Sequence, residues 1–394
     1  MFRYTGFDGL RGWLSWSVVA CHIAFFTGLI QRHPQLYKLQ QLGDEAVAVF
    51  IMLSGFVITH LIIEKQEPYP QYLWRRLLRI FPIYAVALLL AVATTYLNFD
   101  TFLASPPASQ YPMPEIARLT AQRHALEGSG FVVNLLLHLT MLHGAVSSAL
   151  VFESQYAFLR PAWSLSLEWQ FYLLAPLVVG AARRRLPSIA LALVAAVLYR
   201  LYLRGDLGAF VLPSVLPGAM VLFAIGIVSC LLRHRSQSHG SWLAIVIVIA
   251  AALRWPPPTH WAIVAWALFF GATLLKDRPG PIGRGIAAVY QPIFASRLAR
   301  HFGLPSFSTY LLHLPILQLM QYLAVRQLQL DAVWANVLAI VGTLVGTYVA
   351  SQAAFRWIEV PFIELGRGKG PLARSPQAAA PRERELAGPE AARD

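Results

Sequence analysis

The chain alternates long apolar runs with short polar connectors. The runs cover roughly 12–31, 43–63, 77–97, 131–147, 164–181, 187–203, 209–232, 241–255, 259–275, 306–325 and 333–357. A helix that crosses the hydrocarbon core of a bilayer needs about 20 mostly apolar residues. Ten of the eleven runs therefore predict spans, with 241–255 short for one. The run 131–147 differs: it holds Asn134, His138 and His143 and follows a polar segment from 98 to 130. It predicts a re-entrant or interfacial helix. The first run follows Asp8 and Arg11 and continues to Ile30 with no small-residue cleavage site. It predicts a retained helix and not a cleaved signal peptide.

Charge sets the count and the orientation. Lys and Arg collect on the cytoplasmic side of membrane proteins. If all eleven runs span, Arg183, Arg184 and Arg185 fall outside. If 131–147 does not span, 23 of the 32 Lys and Arg lie on one side. The expected fold is thus an all-α polytopic membrane protein. It has about ten transmembrane helices, one re-entrant or interfacial segment and both termini cytoplasmic. Residues 1–365 form the membrane domain. Residues 366–394 are rich in Gly, Pro, Ala, Arg and Glu and read as a disordered cytoplasmic tail.

Composition agrees with this. Of 394 residues 57% are hydrophobic and 13% charged, against about 25% charged in soluble domains. An ordinary soluble enzyme and a disordered chain are excluded. A membrane β-barrel would show alternation rather than runs. The net charge of +13 would suggest nucleic acid in a soluble protein; here it reads as orientation. Cys21 and Cys230 both lie in apolar runs, so neither a disulfide nor a zinc site is expected.

Ionisable residues inside apolar spans are costly and face a cavity or a partner. Four constellations stand out. In Phe7-Asp8-Gly9-Leu10-Arg11-Gly12, followed by His22, Arg11 and His22 are eleven residues apart. Eleven residues turn a helix by about 1100°, so the two share a face about 16 Å apart along the axis, with Ser15 between them. Arg76 and Arg79 are i, i+3 neighbours at the start of a span. Two fixed guanidinium groups suit phosphate binding, and a basic helix end is equally an orientation signal. Ser164, Glu168 and Tyr172 recur at i, i+4, i+8 on one face, with Ser166 between them; Tyr310 and His313 are one turn apart. Each could also be a buried pair that only fixes helix packing. Nucleophile-elbow, phosphate-loop and His-Glu-x-x-His patterns are missing from the sequence, so a bound metal is not expected.

Taken together these blocks resemble the acyltransferase-3 family of integral membrane acyltransferases. The resemblance covers about 3–365. The Phe7–Gly12 block with His22 is similar to the family's arginine–histidine motif. Val49–Phe56 resembles its second block, and Arg76-Leu-Leu-Arg79 before Phe81-Pro82 its paired-arginine block. Trp163-Ser-Leu-Ser-Leu-Glu168 through Tyr172 resembles its tryptophan–serine–glutamate block. Ser306–His313 and Trp357–Phe362 resemble its last two. The family often has two acidic residues at Glu168-Trp169, so only Glu168 carries over.

The resemblance implies transfer of an acyl group, most often acetyl from acetyl-CoA, to a hydroxyl. The acceptor would be a sugar of a cell-surface, exopolysaccharide or lipid-linked glycan, or a macrolide-type small molecule. Acetyl-CoA enters as a cosubstrate, with no permanently bound cofactor. The expected location is the cytoplasmic (inner) membrane. The lipid bilayer, the acyl donor and the glycan are the expected partners, with no nucleic acid and the oligomeric state open. Arg11, Arg76 and Arg79 would clamp CoA phosphates. His22 would act as general base, since neutral imidazole can take a hydroxyl proton near neutral pH. Glu168 would orient His22 or neutralise an arginine. Ser15, Ser164, Ser166, Tyr172, Tyr310 and His313 would line the substrate or thioester pocket. Two readings from other classes stay open: a transporter or flippase of a glycan or anionic solute, and a structural membrane subunit.

Overall fold

The structure is a computed structural model and describes residues 5–104, 113–235 and 260–368. Among these, every regular element is helical. The expected span at 241–255 and nearly all of the expected tail lie outside the described residues.

The first helix, α1, runs Thr5–Phe26, and a short α2 follows at Leu29–Arg32. The apolar pattern predicts one helix to residue 31. It breaks because Gly28 takes a left-handed conformation at φ 74°, which glycine adopts without steric cost. α3 (Tyr37–Lys65) and α4 (Tyr69–Ala104) begin several residues before their apolar runs. α5 is Met113–Ala125 and α6 is Ser129–Leu139. At 11 residues α6 is about 16 Å long, about half of a bilayer core. Irregular turns through 140–162 lead to α7 (Trp163–Ala182), α8 (Arg185–Arg204) and α9 (Leu216–Arg235). The run predicted from 209 becomes helical only at Leu216, because Gly208 has a positive φ and Pro213 interrupts the approach. Later helices cover His260–Leu275, Pro281–Tyr290, Arg297–Gly303, Ser306–Tyr322, Ala332–Ala354 and Val360–Gly366. The last two are joined by a π-helical turn, Phe355–Glu359.

Among the described residues, six segments are long and apolar enough to cross a membrane: Tyr37–Lys65, Tyr69–Leu97, Arg160–Ala182, Leu186–Arg204, Leu216–His234 and Ala332–Gly366. α1 has the length but carries Asp8, Arg11 and His22. The Ser306–Tyr322 and His260–Leu275 helices have 17 and 16 residues.

α3 is the hub. It packs against α1, α7, α9 and the His260–Leu275 helix, and its residues from Glu45 to Thr59 are almost continuously buried. Buried Glu45 accepts a hydrogen bond from Ala262 N, which satisfies a free donor at that helix's N-terminus. α8 is peripheral and exposes Leu186, Ile189, Leu193 and Val197. An apolar surface of this extent suits lipid rather than water.

Close backbone approach sets α1 in place. A Cβ on Gly9 would overlap the Phe294 carbonyl, and one on Gly303 would overlap that of Asp8. The glycines beside Arg11 thus let α1 lie directly on the 291–303 segment. Trp13 Nε1 donates to Ile293 O at 2.9 Å along the same seam.

Candidate active site

α1 carries the two ends of the site. At its start, Arg11 pairs with Asp8 at 3.5 Å. Arg79, Tyr172 and Glu168 also lie within electrostatic range of Arg11. Arg76, one turn before Arg79 on α4, faces Tyr172, Tyr72 and Glu168. Arg76 Nε is buried with no hydrogen-bond partner. Arg11 and Arg76 thus share Glu168, and Arg79 joins the cluster through Arg11 and Tyr172. Arg75 points elsewhere: it pairs with Glu67 and donates to Gly366 O.

Glu168 accepts from Ser54 Oγ at 2.7 Å and from Tyr172 OH. Glu168 also lies within electrostatic range of Arg11 and Arg76. Ser54 belongs to the second sequence block but was not among the expected site residues. Neither was Glu359, which is buried, accepts from Ser308 N and Oγ, and faces Arg79. Its signal was present, as a carboxylate in the last block.

At the other end of α1, His22 Nδ1 lies 2.7 Å from His313 Nε2. His313 is fully buried, and its Nδ1 lies 3.2 Å from Thr309 O. A carbonyl only accepts, so His313 Nδ1 carries the proton and Nε2 is the acceptor. His22 then donates through Nδ1 and keeps an unprotonated Nε2. The later histidine thus fixes the tautomer of the earlier one. No third ligand completes a metal set around this pair among the described residues.

Tyr310 and Ser164 bridge the two ends. Their hydroxyls are 2.8 Å apart, and Tyr310 donates to Pro161 O. The Tyr310 ring lies 6.2 Å from that of His313. Ser164 precedes Glu168 by one turn of α7. The pair thus links the histidine end to the carboxylate end.

Two expected pocket residues are used elsewhere. Ser15 is buried and donates to Gly12 O of its own helix. Ser166 is buried and accepts from Gly144 N, holding the turn after α6. That turn stacks His143 on His138, with ring centroids 3.9 Å apart. Both rings are fully buried, and neither belongs to the bridge.

Beyond His22, a partly open cavity of about 50 Å³ lies among Phe26, Phe99, Tyr156, Arg160, Gln318 and Gln321. Phe26 is one turn from His22, with ring centroids 6.1 Å apart. Arg160 lies over the rings of Phe26 and Tyr156 and within electrostatic range of His22. A bond from Arg160 to Gln122, which itself binds buried Glu153, anchors it. No sequence signal marked Arg160, because it lies in an irregular connector.

A sequence profile described as an acyltransferase domain matches residues 4–354. Acyltransferase MdmB of Streptomyces mycarofaciens is 25% identical over 96% of this chain and 96% of its own length. Peptidoglycan O-acetyltransferase OatA of Listeria monocytogenes is 23% identical over 91% of this chain, which spans 56% of that protein. No solved structure matches the chain. Nearly every block of the site lies inside the matched region, and the chain belongs to the acyltransferase-3 family.

Proposed function

We propose that the protein transfers an acetyl group from acetyl-CoA to a hydroxyl of a glycan, in the cytoplasmic membrane, with ten spans and both termini cytoplasmic. One observation carries the reading: α1 joins a guanidinium cluster shared with α4 at one end and carries a proton-accepting imidazole at the other. Eleven residues of helix separate Arg11 from His22, about 16 Å. That length suits a pantetheine arm whose phosphates rest on Arg11, Arg76 and Arg79. The buried, unpartnered Arg76 Nε offers a donor to such an anion. Glu168 holds the cluster while the donor is away.

His22 Nε2 takes the proton of the acceptor hydroxyl as its oxygen attacks the thioester carbonyl. Collapse of the tetrahedral intermediate breaks the C–S bond, and the proton returns from His22 to the CoA sulfur. His313 is a positioning residue that holds His22 in the required tautomer. Ser164 and Tyr310 offer hydroxyls to the thioester carbonyl or the acceptor. The acceptor enters through the cavity beyond Phe26, whose aromatic rings, amides and Arg160 suit a polyhydroxylated ligand. The Listeria relative, a peptidoglycan O-acetyltransferase by name, favours a glycan acceptor.

The test is release of CoA by the purified protein from labelled acetyl-CoA, with glycans of cells with and without the protein compared by mass spectrometry. Acetyl-CoA-dependent gain of one acetyl mass on a glycan is expected. Glycan movement across vesicles without CoA release would overturn the reading in favour of transport. Acetylation of a macrolide but no glycan would overturn the acceptor alone.

A further inference from the structure

A second cluster of chemically active side chains lies away from this site, at the C-terminal ends of α3 and α9. The two helices pack along their length at close backbone distance. A Cβ on Gly55 would overlap the Phe223 carbonyl, and one on Gly226 that of Met52. Beyond this contact each helix presents a pair of residues one turn apart: His60 and Glu64 on α3, Cys230 and His234 on α9.

His60 Nδ1 and His234 Nε2 are 3.2 Å apart. One ligand atom from each of His60, Cys230 and His234 lies within 4.8 Å of the other two. Cys230 is a fully buried free thiol, while His234 reaches the surface. Zinc takes imidazole nitrogen at about 2.0–2.1 Å and thiolate sulfur at about 2.3 Å in a tetrahedron, which puts two nitrogens about 3.3 Å apart. The observed 3.2 Å is close to that. The second nitrogen of His234 lies 3.8 Å from a Glu64 oxygen. That is longer than a hydrogen bond, and a small side-chain shift would make it the carboxylate–histidine contact that orients metal-bound imidazoles. Two histidines, one thiolate and an outer carboxylate form a borderline-soft donor set, which suits zinc over magnesium or calcium.

We propose that His60, Cys230 and His234 bind one zinc-class divalent ion, with water in the fourth position and Glu64 orienting His234. The positive charge of nearby Arg233 opposes the ion, and the thiolate and Glu64 offset it. The ion would clip α3 to α9 at one end of the seam whose middle places Ser54 on Glu168. The sequence predicts no such site, because the ligands come from two helices about 170 residues apart and no spacing pattern joins them. The alternative is a simple hydrogen bond between the two imidazoles beside an inert thiol.

The experiment uses the full chain in detergent, stripped with chelator and titrated with Zn²⁺ or Co²⁺ alone. Expected are one tightly held zinc per chain by elemental analysis and a thiolate-to-cobalt charge-transfer band with tetrahedral ligand-field bands. Cys230→Ser is nearly isosteric and keeps the imidazole pair, and it should abolish the charge-transfer band. His234→Ala should weaken binding at least tenfold. Loss of the metal on gel filtration, or a cobalt spectrum without the thiolate band, would overturn the proposal on the unmodified protein alone. Equal stoichiometry and affinity in Cys230→Ser would overturn it as well. None of these readouts depends on acyl transfer.

Discussion

The two ends of α1 solve the problem of polar groups in an apolar bundle in opposite ways. At the Arg11 end, charge is pooled. Arg11, Arg76 and Arg79 share Glu168, Tyr172, Asp8 and Glu359 among them. At the His22 end, the histidine pair meets through one neutral hydrogen bond whose direction is set by one backbone carbonyl. Pooled charge tolerates loss of one member, because the rest re-partition. A single directed hydrogen bond does not. In the proposed reaction this makes the histidine end decisive for turnover and the arginine end graded in donor binding.

The largest effect should therefore come from His22→Ala. General-base catalysis contributes about 10²–10⁴ in rate, so CoA release should fall by that factor while KM for acetyl-CoA stays put. A raised KM with intact kcat would place His22 in binding instead. Next comes His313→Phe, which keeps an aromatic ring but removes the acceptor for His22 Nδ1. Second-sphere partners of this kind are worth about 10–100-fold. The loss should appear in kcat alone, and an unchanged kcat would break the claim that His313 selects the tautomer.

Arg76→Ala tests the other end. A hydrogen bond to a charged group contributes about 1.5–3 kcal/mol, or about 10–100-fold in affinity. Pooling places the result near the lower figure. KM for acetyl-CoA should rise with little change in kcat. Arg75→Ala is the matched control, since Arg75 is occupied by Glu67 and Gly366. It should leave KM unchanged and lower thermal stability. Equal KM effects from both would mean that the guanidinium cluster is generic positive charge.

The two ends were not equally legible in the sequence. Helical periodicity put Arg11 and His22 on one face, and i, i+3 and i, i+4 spacings placed the other members on their own helices. Spacing says nothing across helices. The partner of His22 is 291 residues away, and Glu168 sits with Ser54 of α3, 114 residues away. The fold shows the same boundary. The ends of α7 and α8 coincide with the apolar runs, because Arg183–Arg185 mark both. The runs around 28 and 209–215 were over-read, because one left-handed glycine or one proline outweighs several apolar neighbours. Arg160 had no signal at all: its place beside His22 depends on tertiary bonds to Gln122 and rings.

The smallest expected effect lies between the two ends. Tyr310→Phe removes one hydroxyl that bonds Ser164 and Pro161 O. A neutral hydrogen bond contributes about 0.5–1.5 kcal/mol, so activity should drop about 2–12-fold. The double variant with Ser164→Ala separates two ideas. If the hydroxyls act only on each other, the double variant should be no worse than the single, because the second change removes a partner already lost. If they act separately on substrate, the losses should multiply. Multiplicative loss in kcat would extend the directed chemistry of the histidine end toward Glu168. Multiplicative loss in KM would instead extend the binding surface of the arginine end toward His313.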